Sequence, residues 1–182
     1  MALVGGSLGY LALSSILTPP ASPAPPATVT TWSQWGMSIQ HPAGLEDKYT
    51  GLLENYSDTD SGGVAWTWNG GNTSLALFWL PADAYNYTAG FEGIEGDVEG
   101  GIAAGAATSS SNLILLTNGT VVIDGNSWLY RTYSAETNGA PYYWAVALCF
   151  YQNESRVYSI QYFDTSQDIL DLMMAWAATF QG

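Results

Sequence analysis

The chain has 182 residues, of which 47% are hydrophobic and 14% aromatic, which suits one domain with a real core and argues against a disordered protein. Three fixed cations stand against 16 carboxylates, so the formal net charge is −13. This charge argues against DNA or RNA as a partner, because almost nothing is present to neutralise phosphates.

Residues 2–17, ALVGGSLGYLALSSIL, form an uncharged and mostly apolar N-terminal segment. As a helix it would rise about 24 Å, which is short of the roughly 30 Å hydrocarbon core of a membrane. It also lacks the basic start of a secretory signal. Three interpretations stay open: a short anchor, a segment that packs into neighbouring subunits, and a retained signal peptide. The possible interface side chains are those of Leu8, Tyr10, Leu11 and Leu13.

A proline-rich linker follows, and we expect the folded domain after it. Residues 18–31 read TPPASPAPPATVTT, with five prolines between positions 18 and 26. Such a segment favours an extended polyproline-type spacer. The chain therefore divides into an apolar segment at 1–17, a linker at 18–31 and a domain at 32–182.

The first half of the domain reads as short strands separated by Gly, Asp and Asn turn signals. The predicted strands cover 35–41, 49–56, 63–68 and 74–80. The only histidine of the chain, His41, precedes Pro42 at the end of the first of these strands. It has no second histidine as a companion ligand, so we interpret it as a structural residue rather than a catalytic base or metal ligand.

Residues 84–107 change to a helical period. Apolar residues recur at helical spacing, and two further stripes accompany them, one of glycines and one of carboxylates. The glycines Gly93, Gly96 and Gly100 would allow another backbone to approach closely, either the protein's own sheet or a second chain. The carboxylates are Glu92, Glu95, Asp97 and Glu99.

The second half predicts an antiparallel meander and a closing helix. Strands at 127–134, 142–151 and 156–163 are joined by turns at Asn138-Gly139 and Asn153-Glu154. Thr165 or Ser166 can cap the final helix, whose predicted buried face carries Ile169, Met173, Trp176 and Phe180. The order of elements predicts an α+β fold, an antiparallel sheet covered by helices.

The pattern resembles the PsbP-like fold family, which includes photosystem II extrinsic subunits and a Ran-binding nuclear import factor. The resemblance rests on an opening strand that ends in proline, here Trp35 to Pro42, on the middle helix after Pro81, and on a last helix that closes at Phe180. It covers about residues 32–182. It implies an α/β/α sandwich and an accessory or partner-binding protein without enzymatic activity.

The glycosylation sequons of the chain indicate an exported protein. Asn-x-Ser/Thr occurs at Asn55, Asn72, Asn86, Asn118 and Asn153, an excess over chance that is typical of exposed loops in exported proteins. The single cysteine, Cys149, excludes an intrachain disulfide and a cysteine-based zinc cluster. Many sequons without a disulfide favour an archaeal cell-surface glycoprotein.

The sequence favours a non-enzymatic surface protein, tethered or assembled through its N-terminus, that contacts subunits of a membrane complex. We expect protein partners and N-linked glycans, with a membrane contact through residues 2–17 left open, and no cofactor. One alternative is a filament subunit whose residues 1–17 pack into neighbouring copies. A third is a carbohydrate-active enzyme that uses the carboxylate stripe and Trp66, Trp68 and Trp79. Weak calcium binding at Asp58 and Asp60 also stays open, although the loop lacks the later ligands of a calcium site.

Overall fold

The structure is a computed structural model that describes residues 28–50, 57–81, 114–137, 140–150 and 156–182. The N-terminal segment at 1–17, most of the linker and the predicted helix at 84–107 lie outside these residues. Within them the chain forms nine strands and one α-helix. The strands are β1 (Val29–Gln34), β2 (Met37–Pro42), β3 (Lys48–Thr50), β4 (Gly62–Trp68), β5 (Thr73–Pro81), β6 (Ile114–Ile123), β7 (Asn126–Thr137), β8 (Ala140–Phe150) and β9 (Arg156–Asp164), and the helix is α1 (Ile169–Ala177).

Seven of the strands form one antiparallel sheet in the order β3-β4-β5-β9-β8-β7-β6. The other two, β1 and β2, form a separate antiparallel hairpin. The predicted meander is present as β7, β8 and β9, and β6 adds a fourth strand to it. The central strands β5 and β9 are buried along almost their whole length, as expected for strands inside a wide sheet.

The predicted fold class is wrong. The described residues form a sheet-dominated fold, with a single nine-residue α-helix, and not a sheet covered by helices. The physical reason is that the β1–β2 hairpin shares with α1 the covering of one sheet face. Trp32, Met37 and Ile39 of the hairpin are each less than 5% exposed and join the core formed by the sheet and α1. An apolar hairpin can bury a sheet face as well as a helix can.

The turn of this hairpin differs from the predicted opening strand. Residues 35–41 were expected to be continuous strand, but Trp35 and Gly36 form a two-residue turn with φ of 50° and 82°. Two positive φ angles are the mark of the turns that match the twist of paired strands. Trp35 tolerates this unfavourable backbone because its ring packs against Trp79, with centroids 5.3 Å apart. The strand β1 begins at Val29, three residues before the expected domain boundary.

Side chains that alternate between the two faces of each strand form the core on both sides of the sheet. On the face below the hairpin, β4 and β5 contribute Val64, Trp66, Leu75 and Leu77, all 0% exposed. The opposite face is also buried, with polar Ser159 and Gln161 among its residues, and it includes a stack in which Trp144 lies 4.9 Å from Tyr133 and 5.3 Å from Phe163. A strand that is apolar on both faces is typical of a sheet buried on both sides.

The final helix closes the core as predicted, with differences at its ends. Ile169 and Met173 are buried, whereas Trp176 is only half-buried. The Ser166 hydroxyl accepts a hydrogen bond from the Asp168 backbone just before the helix, at 3.2 Å. Phe180 follows the helix and is buried against Trp128, 5.5 Å between ring centroids. The chain end then pairs with the hairpin through two backbone bonds between Ser38 and Gln181, of 2.8 and 2.9 Å.

Candidate interaction surface

Strand β6 is the outermost strand of the sheet. It pairs with β7 on one side, and no strand among the described residues pairs with its other side. Four of its six apolar side chains are strongly exposed: Ile114 by 57%, Leu115 by 46%, Leu116 by 50% and Val122 by 67%. An edge strand presents unpaired backbone N–H and C=O groups, so β6 combines a hydrogen-bonding edge with an exposed apolar surface.

The amino-acid composition of β6 does not protect this edge against pairing with another strand. Its sequence, ILLTNGTVVI, contains no charged residue and no proline, two residue types that commonly prevent such pairing. A register shift between Leu115 and Thr117 is its one irregularity. Leu129 on the neighbouring strand β7 is 38% exposed and lies opposite Thr120, which extends the apolar surface inward. We call this surface the β6 edge; it consists of Ile114, Leu115, Leu116, Val122 and Leu129.

A second surface feature is an open groove of about 410 Å³ between the hairpin and the chain end. Its lining is mostly polar and includes one carboxylate, Asp124. The groups in it are used for structure: the Gln40 backbone donates to Thr179 Oγ1 at 2.9 Å, and the Gly182 backbone donates to Asp124 Oδ2 at 3.3 Å. This arrangement holds the chain end to the hairpin and offers no pair of groups suited to acid–base chemistry.

His41 lies at the end of β2 and is 3% exposed. Its ring stacks on Trp66, with centroids 4.3 Å apart and planes 13° apart. Nδ1 lies 3.0 Å from the Pro42 carbonyl oxygen, which places the proton of the neutral ring on Nδ1. Trp66 Nε1 donates to Asp47 Oδ1 at 2.7 Å, so the nearby carboxylate is engaged by the indole. The surroundings of His41 are those of a packed core residue.

A polar chain continues from Asp47 to the hairpin. The Tyr49 hydroxyl donates to Asp47 Oδ2 at 3.2 Å and accepts from Trp32 Nε1 at 2.9 Å. It also accepts from Gln34 Nε2 at 2.8 Å. These bonds satisfy the indole N–H of a buried tryptophan and tie β1 to β3. The network is structural, since each of these groups serves to fix another side chain.

The burial of His41 predicts a pH-dependent stability. Desolvation lowers the pKa of His41, only partly opposed by the Pro42 hydrogen bond and by Asp47. An unfolded histidine titrates near 6.5, so below about that pH the unfolded chain binds a proton that the folded chain resists. The titration of His41 should therefore leave the free energy of unfolding unchanged above pH 7 and lower it as the pH drops towards 5. Urea unfolding at several pH values measures this. The His41→Phe variant keeps an aromatic ring on Trp66 and should lose this part of the pH dependence; an unchanged slope would contradict the assignment.

The possible calcium loop forms a turn with internal hydrogen bonds. Ser57 Oγ donates to Asp60 Oδ2 at 2.6 Å, and the Asp60 backbone donates to the Ser57 carbonyl at 2.8 Å. The Asp58 carbonyl accepts from Trp79 Nε1 at 2.9 Å. Across the described part of the chain, no three His, Cys, Asp or Glu residues gather as metal ligands would. Calcium at Asp58 and Asp60 stays a prediction.

The remaining candidate residues fall into two groups. Of the aromatics proposed to stack on sugars, Trp66 and Trp79 are 0% and 1% exposed, so neither presents a face to a ligand. Trp68 is half-buried between Tyr162 and Trp176. The glycine and carboxylate stripes and the N-terminal interface residues lie outside the described residues, as do three sequons. The candidate residues outside the described part of the chain are Gly93, Gly96, Gly100, Glu92, Glu95, Asp97, Glu99, Leu8, Tyr10, Leu11, Leu13, Asn55, Asn86 and Asn153.

The two sequons that are described have opposite environments. Asn118 lies in the middle of β6 and is exposed. Asn72 is 5% exposed, and its Nδ2, the atom that would carry a glycan, donates to the Asn69 carbonyl at 3.1 Å. Asn118 is therefore accessible for glycosylation in the folded domain, and Asn72 is not.

The β6 edge was missed by sequence reasoning. No strand is predicted for residues 113–125, LILLTNGTVVIDG, and the edge position of β6 depends on long-range pairing. A usable signal was present: an apolar, uncharged run with many β-branched residues that ends in Asp124-Gly125, a typical two-residue hairpin turn. Both turn residues have positive φ, 49° and 72°.

Comparison with known proteins gives a fold and no family. No protein-family model matches the chain, and no curated protein sequence matches it. Among solved structures, the chain is similar to the solution structure of cyanobacterial PsbP (CyanoP) from Synechocystis sp. PCC 6803, with a TM-score of 0.54. The identity is 10%, and the match covers 85% of this chain and 92% of that one. The chain has a PsbP-like fold.

None of the helices in the described residues is long and apolar enough to cross a membrane. The apolar segment at 2–17 lies outside those residues, so its interpretation stays a prediction.

Proposed function

We propose that the chain is a non-enzymatic, glycosylated protein of the cell surface, in which a PsbP-like domain makes protein–protein contacts. The observation that carries the proposal is the β6 edge, where uncharged apolar side chains are 38–67% exposed on a chain of net charge −13. Exposed apolar patches of this kind mark interaction sites. The PsbP-like fold supports the same class of function, because the resemblance implies accessory and partner-binding proteins.

Two forms of this function are distinguished by what the chain contacts. In the first, residues 1–17 tether the domain and the β6 edge contacts a subunit of a membrane complex. In the second, the chain is a filament subunit and contacts copies of itself. The second form is favoured by the absence of charge in both β6 and residues 2–17, since two copies of an acidic domain can approach closely only through uncharged elements. Electron microscopy of native material separates fibres from discrete complexes.

Glycan occupancy tests the surface location. Asn118 should carry an N-linked glycan in protein isolated from the organism that produces it, and Asn72 should not. Intact-protein mass spectrometry should show that Asn118→Gln loses one glycan mass. The matched variant Asn72→Gln should keep every glycan and instead lose stability, because the Asn72 side chain is buried and hydrogen-bonded.

Protease treatment of intact cells tests the surface location independently of glycan occupancy. A surface protein should be cleaved by protease added outside the cells, and cleavage should remove the glycosylated domain from the cell fraction. An unmodified Asn118 in a chain that external protease does not reach would contradict the proposal.

A further inference from the structure

Strand β6 has the properties of an acceptor for an additional β-strand. The ten residues Ile114–Ile123 offer alternate backbone N–H and C=O groups along the side of β6 that no other described strand pairs. Main-chain bonds to such an edge supply affinity, and side chains at alternate positions supply specificity. The apolar side chains of Leu115 and Leu116 are about half exposed and can contact side chains of an incoming strand.

The occupant must be uncharged, extended and free of proline. Residues 7–17, SLGYLALSSIL, meet these conditions, with no charged residue, no proline and a length close to that of β6. The prolines begin at Pro19, so a donated strand would have to end just before the linker. Leu8 and Tyr10 would then lie on one face of the donated strand, and Leu11 and Leu13 on the other.

Donation between copies is favoured by charge. Two copies of a chain of net charge −13 can approach closely only through uncharged elements, and β6 and residues 7–17 are both uncharged. The hairpin also approaches β6 within one chain, because Ser38 of β2 pairs with Gln181 and the Gly182 backbone donates to Asp124, directly after β6, at 3.3 Å. The experiment below therefore separates donation between copies from donation within one chain.

We propose that the β6 edge of one copy accepts residues 7–17 of a second copy as an added β-strand. The proposal rests on the function proposed above and names its partner as the chain itself. The contact is heterologous, because an N-terminal segment meets a strand of the domain, and a heterologous contact that does not close into a ring continues as a filament. Asn118 projects from the sheet, whereas the accepting groups lie along the backbone edge, so a glycan there and a donated strand are compatible.

Disulfide trapping in the full-length chain tests the contact. Two differently tagged chains are mixed, one carrying Leu11→Cys and the other Leu116→Cys, both with Cys149→Ser to remove the native thiol. Mild oxidation should produce a mixed dimer that contains both tags. Val29 is exposed by 53% and belongs to β1, outside the seven-stranded sheet, so Leu11→Cys mixed with Val29→Cys is the matched control and should stay monomeric.

Other outcomes would overturn the proposal. Cross-linking of positions 11 and 116 within one chain would show donation in cis. A Leu116→Cys homodimer without the mixed species would show that two β6 edges pair with each other. Equal trapping at positions 29 and 116 would show random collision, and no trapping would show that the segment binds elsewhere, a membrane included. None of these results affects the glycan and protease tests, so failure of this contact is distinguishable from failure of the proposed surface function.

A second measurement avoids substitutions altogether. A synthetic peptide of residues 7–17 should compete for the β6 edge and reduce the mass of assemblies of the unmodified chain, measured by light scattering. A peptide of the same composition in scrambled order should have no effect, because it lacks the alternation of side chains that β6 would recognise. Equal effects of the two peptides would count against the proposal as strongly as a failed cross-link.

Discussion

Replacing Trp66 with alanine should lower the free energy of unfolding by about 3–5 kcal/mol, the range typical of truncating a large aromatic residue in a core. Trp66 is 0% exposed and joins the hairpin to the sheet. Its indole stacks on His41 at 4.3 Å and meets Trp32 edge-on at 6.2 Å. Its loss would also leave Asp47 Oδ1 without the 2.7 Å bond that the indole donates.

Denaturant unfolding of the variant measures this loss. Trp68 offers a matched control, because it lies two residues along the same strand and on the same face but is only half-buried. Trp68→Ala should cost clearly less than Trp66→Ala. Equal losses at the two positions would mean that the β1–β2 hairpin does not depend on Trp66, contrary to the packing described.

Replacing Gly62 with alanine should destabilise the domain by about 1–3 kcal/mol, the usual cost of adding a methyl group to a filled core. A Cβ at position 62 would lie 2.5 Å from Cζ2 and 3.0 Å from Cε2 of Trp79. The Trp79 ring cannot move aside easily, because it is 1% exposed and its Nε1 donates to the Asp58 carbonyl at 2.9 Å. Gly62 is thus required by a close approach between neighbouring strands and not by a turn.

A double-mutant cycle tests the cause. Trp79→Phe removes the part of the ring that the new methyl group would meet, so Gly62→Ala should cost less in that background than in the natural chain. The free energies of unfolding of the natural chain, the two single variants and the double variant give the coupling energy between positions 62 and 79. If the two substitutions are additive, the cost at Gly62 comes from the backbone and not from Trp79.

The strands of the sheet could be predicted from the sequence because alternation and turn residues are local signals. Runs such as 63–68 and 74–80 correspond closely to β4 and β5, and the closing helix begins where its apolar spacing begins. The hairpin turn at Trp35-Gly36 could not be predicted, since tryptophan disfavours a positive φ. Contacts with residues distant in sequence stabilise that turn: the Trp35 ring packs against Trp79, and the Trp35 carbonyl accepts a hydrogen bond from Arg156 at 3.1 Å.

The fold class was wrong for a similar reason. Helix and hairpin are equally able to cover a sheet face, and the sequence does not say which element lies there until the pairing of β1 with β2 is known. The position of β6 at the sheet edge also follows from pairing order alone. The burial of Asn72 is likewise invisible in its sequon, because it depends on the turn bond to Asn69.

His41 shows what an inventory of residues can achieve. The lack of a second histidine and the following proline indicated a structural role at the end of a strand, and the structure places the ring at the end of β2 against Trp66. The sequence did not indicate the aromatic stack or the pKa lowered by burial, since both come from strands that meet only in the folded domain.

Amide hydrogen exchange along β6 tests directly whether this edge is where the protein contacts its partner. Exchange is compared for the full-length chain at assembling concentration and after dilution to monomer. We expect amides of residues 114–123 to be protected in the assembly and to exchange faster on dilution, while those of the central strands β5 and β9 are protected in both states. Equal exchange of β6 in the two states, with protection gained elsewhere on the surface, would contradict this expectation.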